Sequence, residues 1–161
     1  MTTTAIRKPA SALSPALRRS VLTFHIVASI GLLGTTAALV ALNVRAATTS
    51  DAQLAASAYE LLTMFSFVFG IPLSFASLIS GVVLGLTSKW GVLRTGWVAA
   101  KLALNLSVIA VGAFVLGPAA TALADGSGGE AVPIVAGAYD VVALCLATGL
   151  SVFKPRRRRR A

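Results

Sequence analysis

The sequence predicts an all-α membrane protein, a transmembrane four-helix bundle with both termini in the cytoplasm. Composition is the first reason: 57% of the 161 residues are hydrophobic and 12% charged, whereas soluble domains carry roughly a quarter charged residues. Mean hydropathy is +0.86. The second reason is the presence of four long apolar runs, and the third is the alternation of basic and non-basic segments between them. Strands of an outer-membrane barrel alternate over short segments, and these runs do not.

A hydrocarbon core of about 30 Å takes roughly 20 helical residues to cross, because lipid offers backbone groups no partner outside their own helix. The spans expected are about 21–42, 61–86, 97–116 and 132–153. They lie in one transmembrane domain, 18–153, between a flexible N-terminal tail, 1–17, and a basic tail, 154–161. The first span follows Arg18 and Arg19 and so resembles a signal peptide. It is longer than the roughly 7–15 apolar residues of such a segment, and it is expected to stay.

Orientation follows from charge, since basic residues remain on the cytoplasmic side. Arg7, Lys8, Arg18 and Arg19 precede the first span, Lys89 and Arg94 separate the second from the third, and Lys154 with the arginine run follows the fourth. The other two loops hold Arg45 with Asp51, Glu60, Asp125 and Glu130. The net charge of +9 therefore belongs to one membrane face and not to a nucleic-acid-binding domain. The location expected is the plasma membrane, crossed several times.

Within the first span, His25 is the only histidine of the chain. The functional readings are a metal or haem ligand and a proton carrier. The structural reading is a neutral imidazole bonded to a serine, threonine or carbonyl of a neighbouring helix. Metal sites take three or four ligands and bis-histidine haem needs a second histidine, so no metal and no cofactor is expected. Gly31, Thr35 and Ala38 line one face of this span, and Ser77, Gly81 and Gly85 repeat along the second. Small residues let membrane helices approach closely, so these two faces are expected to meet, within one chain or between two copies.

The loop 43–60 follows, with AQLAASAYELL at helical spacing suggesting a turn or two of surface helix. Pro72 should kink the second span. In the cytoplasmic loop TSKWGVLRTGW, Trp90 and Trp97 suit the interface, while Lys89 and Arg94 can face headgroups; the alternative use is docking a partner. Pro118 should end the third span and open a flexible outer loop containing GSGG.

At about 1.5 Å per residue, His25, Ser80, Lys101 and Thr148 fall in one layer roughly 6–10 Å below the cytoplasmic boundary. Lys101 either snorkels or turns inward beside His25 to hold an anionic group, and Asn105 follows it one turn later. Asp140 lies roughly 20 Å in, where a carboxylate costs at least about 2.5–3.5 kcal/mol. Flanked by Ala136, Ala143 and Ala147, it is either a protonated acid donating to Thr35, Thr36 or Ser74, or a proton- or cation-coupling site. The tail residues Arg156, Arg157, Arg158, Arg159 and Arg160 suit anionic lipid at about 1 kcal/mol each.

The stretch LRRSVLTFHIVASIGLLG, with IPLSFASLISGVVLGLTSKWGVLRTGWVAAKLAL after it, resembles a family of four-span membrane proteins of unknown function found in actinobacterial genomes. The likeness covers roughly residues 16–106 and rests on His25 with Leu33 and Gly34, on P-L-x-x-A-S-L-x-x-G from Pro72 to Gly81, and on W-G-x-x-R-x-x-W-V-x-x-K from Trp90 to Lys101. A distant similarity to copper-resistance membrane subunits attaches to a histidine placed before a W-x-G turn. This chain departs from its relatives in having Leu32 where tryptophan is common, and VLGPAA where a second histidine is common. The resemblance implies the topology and brings no activity with it.

No nucleophile-base pair, metal cluster, phosphate loop or dinucleotide fingerprint is present in the sequence, so no enzyme is expected. The function expected first is a small non-catalytic membrane protein binding anionic lipid or a partner protein at its basic face. The alternatives are a small transporter or channel-like homo-oligomer using Asp140 and the His25/Lys101 layer, and a metal- or haem-associated subunit completed by a partner.

Overall fold

The computed structural model describes residues 13–88, 95–124 and 127–153. The expected all-α class is what it shows: among these residues there are four helices long and apolar enough to cross a membrane, α1 Pro15–Thr48, α2 Ala52–Leu86, α3 Gly96–Leu123 and α4 Ala131–Val152. Ser14 starts α1 by accepting the Leu17 N–H at 3.3 Å, with Pro15 at the first helical position where no donor is needed. Asp51 starts α2, its Oδ1 accepting from Gln53 at 2.9 Å and Leu54 at 3.2 Å. Only residues 49–51 connect α1 to α2.

The outer loop expected over 43–60 is thus mostly helix. Apolar residues continue past the ends of both spans, and the Asp51 cap lets α2 begin nine residues before the span read from hydropathy. At about 1.5 Å per residue, α1 is roughly 51 Å long against a core of about 30 Å. Both helices therefore run beyond the hydrocarbon at the ends they share or tilt within it.

Two prolines are absorbed in the same way. Proline lacks an N–H, and its ring collides with the carbonyl four residues back. Just before Pro72, a π turn at Ser66–Gly70 lets the Ile71 N–H reach Ser66 O. Just before Pro118, a second π turn at Gly112–Leu116 lets the Gly117 N–H reach Gly112 O. The extra residue in each turn widens the helix where the ring has to fit. Pro118 therefore does not end α3, which continues to Leu123.

The helices run antiparallel in sequence order. His25 meets Ser80, Ser77 meets Asn105, Ser107 meets Tyr139, and Val40 meets Gly137. Each helix packs on the one before and after it in sequence, and α4 returns to α1 to close a square. The start of α1, the end of α2, the start of α3 and the end of α4 consequently share one end of the bundle.

Leu32, Val108, Ala143 and Leu144 form the core, with Leu33, Leu73 and Leu104 packed against them. Large apolar side chains such as Phe114 at 80% and Val135 at 68% exposure point outward. That inversion of the soluble pattern suits lipid, which rewards close helix packing more than apolar burial. On α1 the buried stripe is Ala28, Leu32 and Thr36, with Ala46 further along. Gly31 touches Leu73, whereas Ala38 is exposed, so the α1 face against α2 is rotated from the one expected. Ser77 and Gly85 are buried on α2 as their spacing implied.

A polar cluster inside the bundle

His25 projects from α1 toward α2. Its Nδ1 lies 3.1 Å from Ser77 O and 2.9 Å from Ser80 Oγ. A carbonyl only accepts, so Nδ1 carries the proton and Nε2 keeps its lone pair. Ser80 accepts while donating its own proton to Ala76 O at 2.5 Å. The ring fits because residue 81 is glycine: a Cβ there would stand 3.1 Å from His25 Cε1.

Ser77 is the hub. It is 2% exposed, its Oγ pairs with Ser29 Oγ at 2.9 Å, and it accepts from Asn105 Nδ2 at 3.3 Å. One α2 residue thereby ties α1 to α3. Ser29 lies one turn beyond His25, so the i, i+4 pairing of histidine and serine was the signal in the sequence that this hub existed. Reading Ser77 only as a small packing residue hid it.

Lys101, one turn before Asn105, is half-buried and within electrostatic reach of His25. Thr148 stands apart from this group and donates to Leu144 O on its own helix at 2.9 Å. The structure thus brings His25, Ser80 and Asn105 into one network, with Lys101 beside it.

Asp140 lies on the interior face of α4 with Pro133, Gly137, Ala143 and Leu144, and is 3% exposed. Its Oδ1 has no hydrogen-bond partner. The partners expected for it are engaged elsewhere: Thr36 donates to Leu32 O at 2.9 Å and Ser74 to Ile71 O at 2.8 Å. Both hydroxyls return to carbonyls of their own helix, a common resort of serine and threonine within helices.

Between α3 and α4, Tyr139 donates to Ser107 Oγ at 2.8 Å and Ser107 to Leu104 O at 2.8 Å. Nothing in the sequence pattern marked this pair. Tyr139→Phe should destabilise the protein by about 0.6 kcal/mol, the usual worth of such a bond between membrane helices. Thermal unfolding in detergent measures it, and a loss several times larger would show that the hydroxyl does more than join two helices.

Trp97 is half-buried in the first turn of α3. Lys89, Trp90, Arg94 and the arginines from Arg156 to Arg160 lie outside the described residues. Among the described residues no group of three His, Cys, Asp or Glu side chains comes together. Cys145 is a free, exposed thiol.

Four antiparallel apolar helices closed around a small polar interior define a multi-span integral membrane protein. The chain belongs to the family described as predicted integral membrane protein, DUF2269, whose pattern matches residues 19–155. That stretch takes in all of α2, α3 and α4 and nearly all of α1. No curated protein and no solved structure matches the chain.

Proposed function

We propose that this is a non-catalytic protein of the plasma membrane, with both termini in the cytoplasm, that binds anionic lipid or a partner protein at its basic face. The observation that supports this reading is the segregation of charge onto the ends of an antiparallel bundle. Arg18 and Arg19 stand at the start of α1, and at the same end of the bundle α2 leads into the sequence that holds Lys89 and Arg94, and α4 into the sequence that holds Lys154 and five arginines. The other end carries Asp51, Glu60 and Glu130, with Arg45. Attraction of a basic end to an anionic leaflet is worth about 1 kcal/mol per residue near the surface and fades over roughly 10 Å at 0.1 M salt.

The test replaces Arg156 to Arg160 with glutamine and measures anionic lipid retained on purification in mild detergent, together with co-purifying proteins. Retention should fall, and fall further with salt in the wild type than in the variant. Unchanged lipid and unchanged partners would remove this reading. For orientation, a reporter inserted at Gly128 should be external and one fused after Ala161 internal, and the reverse result overturns both the orientation and the lipid reading.

A second reading is favoured by Asp140, which is buried and unpartnered. It makes the protein a small transporter or channel-like oligomer acting through Asp140 and the His25/Lys101 layer. Flux into proteoliposomes that disappears in Asp140→Asn supports it. A third reading, a metal- or haem-associated subunit completed by a partner, would use the lone pair on His25 Nε2.

A further inference from the structure

Among the described residues two buried side-chain oxygens lack a donor, Asn105 Oδ1 on α3 and Asp140 Oδ1 on α4. They flank one interhelical bond, since Ser107 lies two residues after Asn105 and Tyr139 one residue before Asp140. Both point into the bundle: Asn105 gives its amide to Ser77 on α2, and Asp140 shares its face of α4 with the core residues Ala143 and Leu144.

Most of the donors nearby are engaged. Thr36, Ser74 and Ser107 give their protons to carbonyls of their own helices, and Tyr139 gives its proton to Ser107. Ser77 and Ser29 share one bond, which commits one of their two protons, and neither hydroxyl reaches Asn105 Oδ1 or Asp140 Oδ1. Nor does any charge among the described residues compensate Asp140. α1 presents Thr36 and Leu32, and α3 presents Val108 and Asn105, all uncharged. Lys101 acts on His25, and no charged group among the described residues acts on Asp140. A carboxylate left in this position would bear a cost of several kcal/mol with nothing to offset it.

We propose that Asp140 and Asn105 form a proton-binding site, in which the Asp140 carboxyl holds a proton and donates it to Asn105 Oδ1. One proton turns one of two orphan acceptors into a donor and so satisfies both. No oxidant, metal or second protein is required, and the site stands whether or not the protein carries anything across the membrane. Two other occupants of the same space are a sodium ion, held by a charged Asp140, and a buried water donating to both oxygens while Asp140 stays ionised.

The experiment is infrared spectroscopy of the full chain in lipid nanodiscs, with and without isotope on asparagine side-chain carbonyls. The labelled groups are then Asn43 and Asn105, the only asparagines of the chain. A carboxylic-acid carbonyl band should be present in the wild type, shift on transfer to heavy water, and vanish in Asp140→Asn. The labelled Asn105 band should move in Asp140→Leu, where the donor is lost, and stay close to its place in Asp140→Gln, whose amide still donates and adds no labelled group. Should Asp140→Leu fail to fold, Asp140→Ala serves as the donor-free variant.

Absence of the acid band in the wild type would overturn the proposal in favour of an ionised carboxyl. An Asn105 band indifferent to Asp140 would overturn the pairing. A thermal midpoint that rises with sodium chloride but not with choline chloride, and does so only while Asp140 is present, would assign the site to sodium instead of a proton.

Discussion

Replacing Gly137 with alanine should destabilise the bundle by about 1–3 kcal/mol, the usual cost of overpacking an interior. The α1–α4 seam closes here, and a Cβ on residue 137 would stand 2.8 Å from Val40 Cγ2. Contact at that distance is not tolerated, so something has to move. Valine is stiff about χ1, and its methyl cannot swing away as the end of a longer chain would. The helices must separate, and with them the neighbours of Gly137 on the same face, Asp140 and Leu144. Gly137→Leu should be worse than Gly137→Ala. Shortening the opposing residue tests the cause: Val40→Ala should recover part of the loss, giving a coupling of about 0.5–3 kcal/mol in a double-mutant cycle. Thermal unfolding of the four proteins in one detergent supplies the numbers. A Gly137→Ala protein as stable as the wild type would mean that α1 and α4 do not approach this closely.

How much of this was legible beforehand depends on the kind of signal. Apolar runs of about 20 residues announce membrane helices strongly, because lipid leaves the backbone no other way to satisfy itself. All four helices were therefore found. Their ends were not, since hydropathy reports where the hydrocarbon stops and a cap such as Asp51 reports where the helix starts. Pro118 misled for a related reason. Proline usually ends a helix, yet a π turn at Gly112–Leu116 supplies the room it needs, and the sequence GAFVLGP gives no more warning of that than SFVFGIP does at Pro72.

The polar interior was half legible. A ruler of 1.5 Å per residue put His25 and Ser80 at one depth, and the structure joins them at 2.9 Å. Depth says nothing about azimuth, however. Thr148 shares the depth and turns to its own backbone, while Thr36 and Ser74 do the same and leave Asp140 without them. Which way a hydroxyl turns depends on whether a neighbouring helix offers an acceptor better placed than the carbonyl of the preceding turn. One chain read by itself fixes the list of polar residues and not their partners.

His25→Phe should lower the thermal stability of the protein by roughly 1–2 kcal/mol, at the upper end of what one interhelical polar contact contributes in a membrane. Phenylalanine keeps a flat ring over Gly81 but removes the Nδ1–H that reaches Ser77 O and Ser80 Oγ. The loss stays moderate because Ser80 retains Ala76 O as its acceptor, so no buried hydroxyl is orphaned. His25→Gln should be milder, since its amide also supplies a donor near the same carbonyl. Ser80→Ala should cost little once His25 has gone, and more when it is present, if the two act through one bond. Metal content separates packing from ligation. Nε2 carries a lone pair in the tautomer that Ser77 O dictates, and a histidine that donates its other ring proton to a carbonyl is also the form that binds metals. A packing histidine predicts negligible metal in wild type and variants alike, with stability changing as above. Stoichiometric copper, zinc or haem iron in the purified wild type, lost in His25→Gln as well as in His25→Phe, would overturn the packing role and make His25 a ligand.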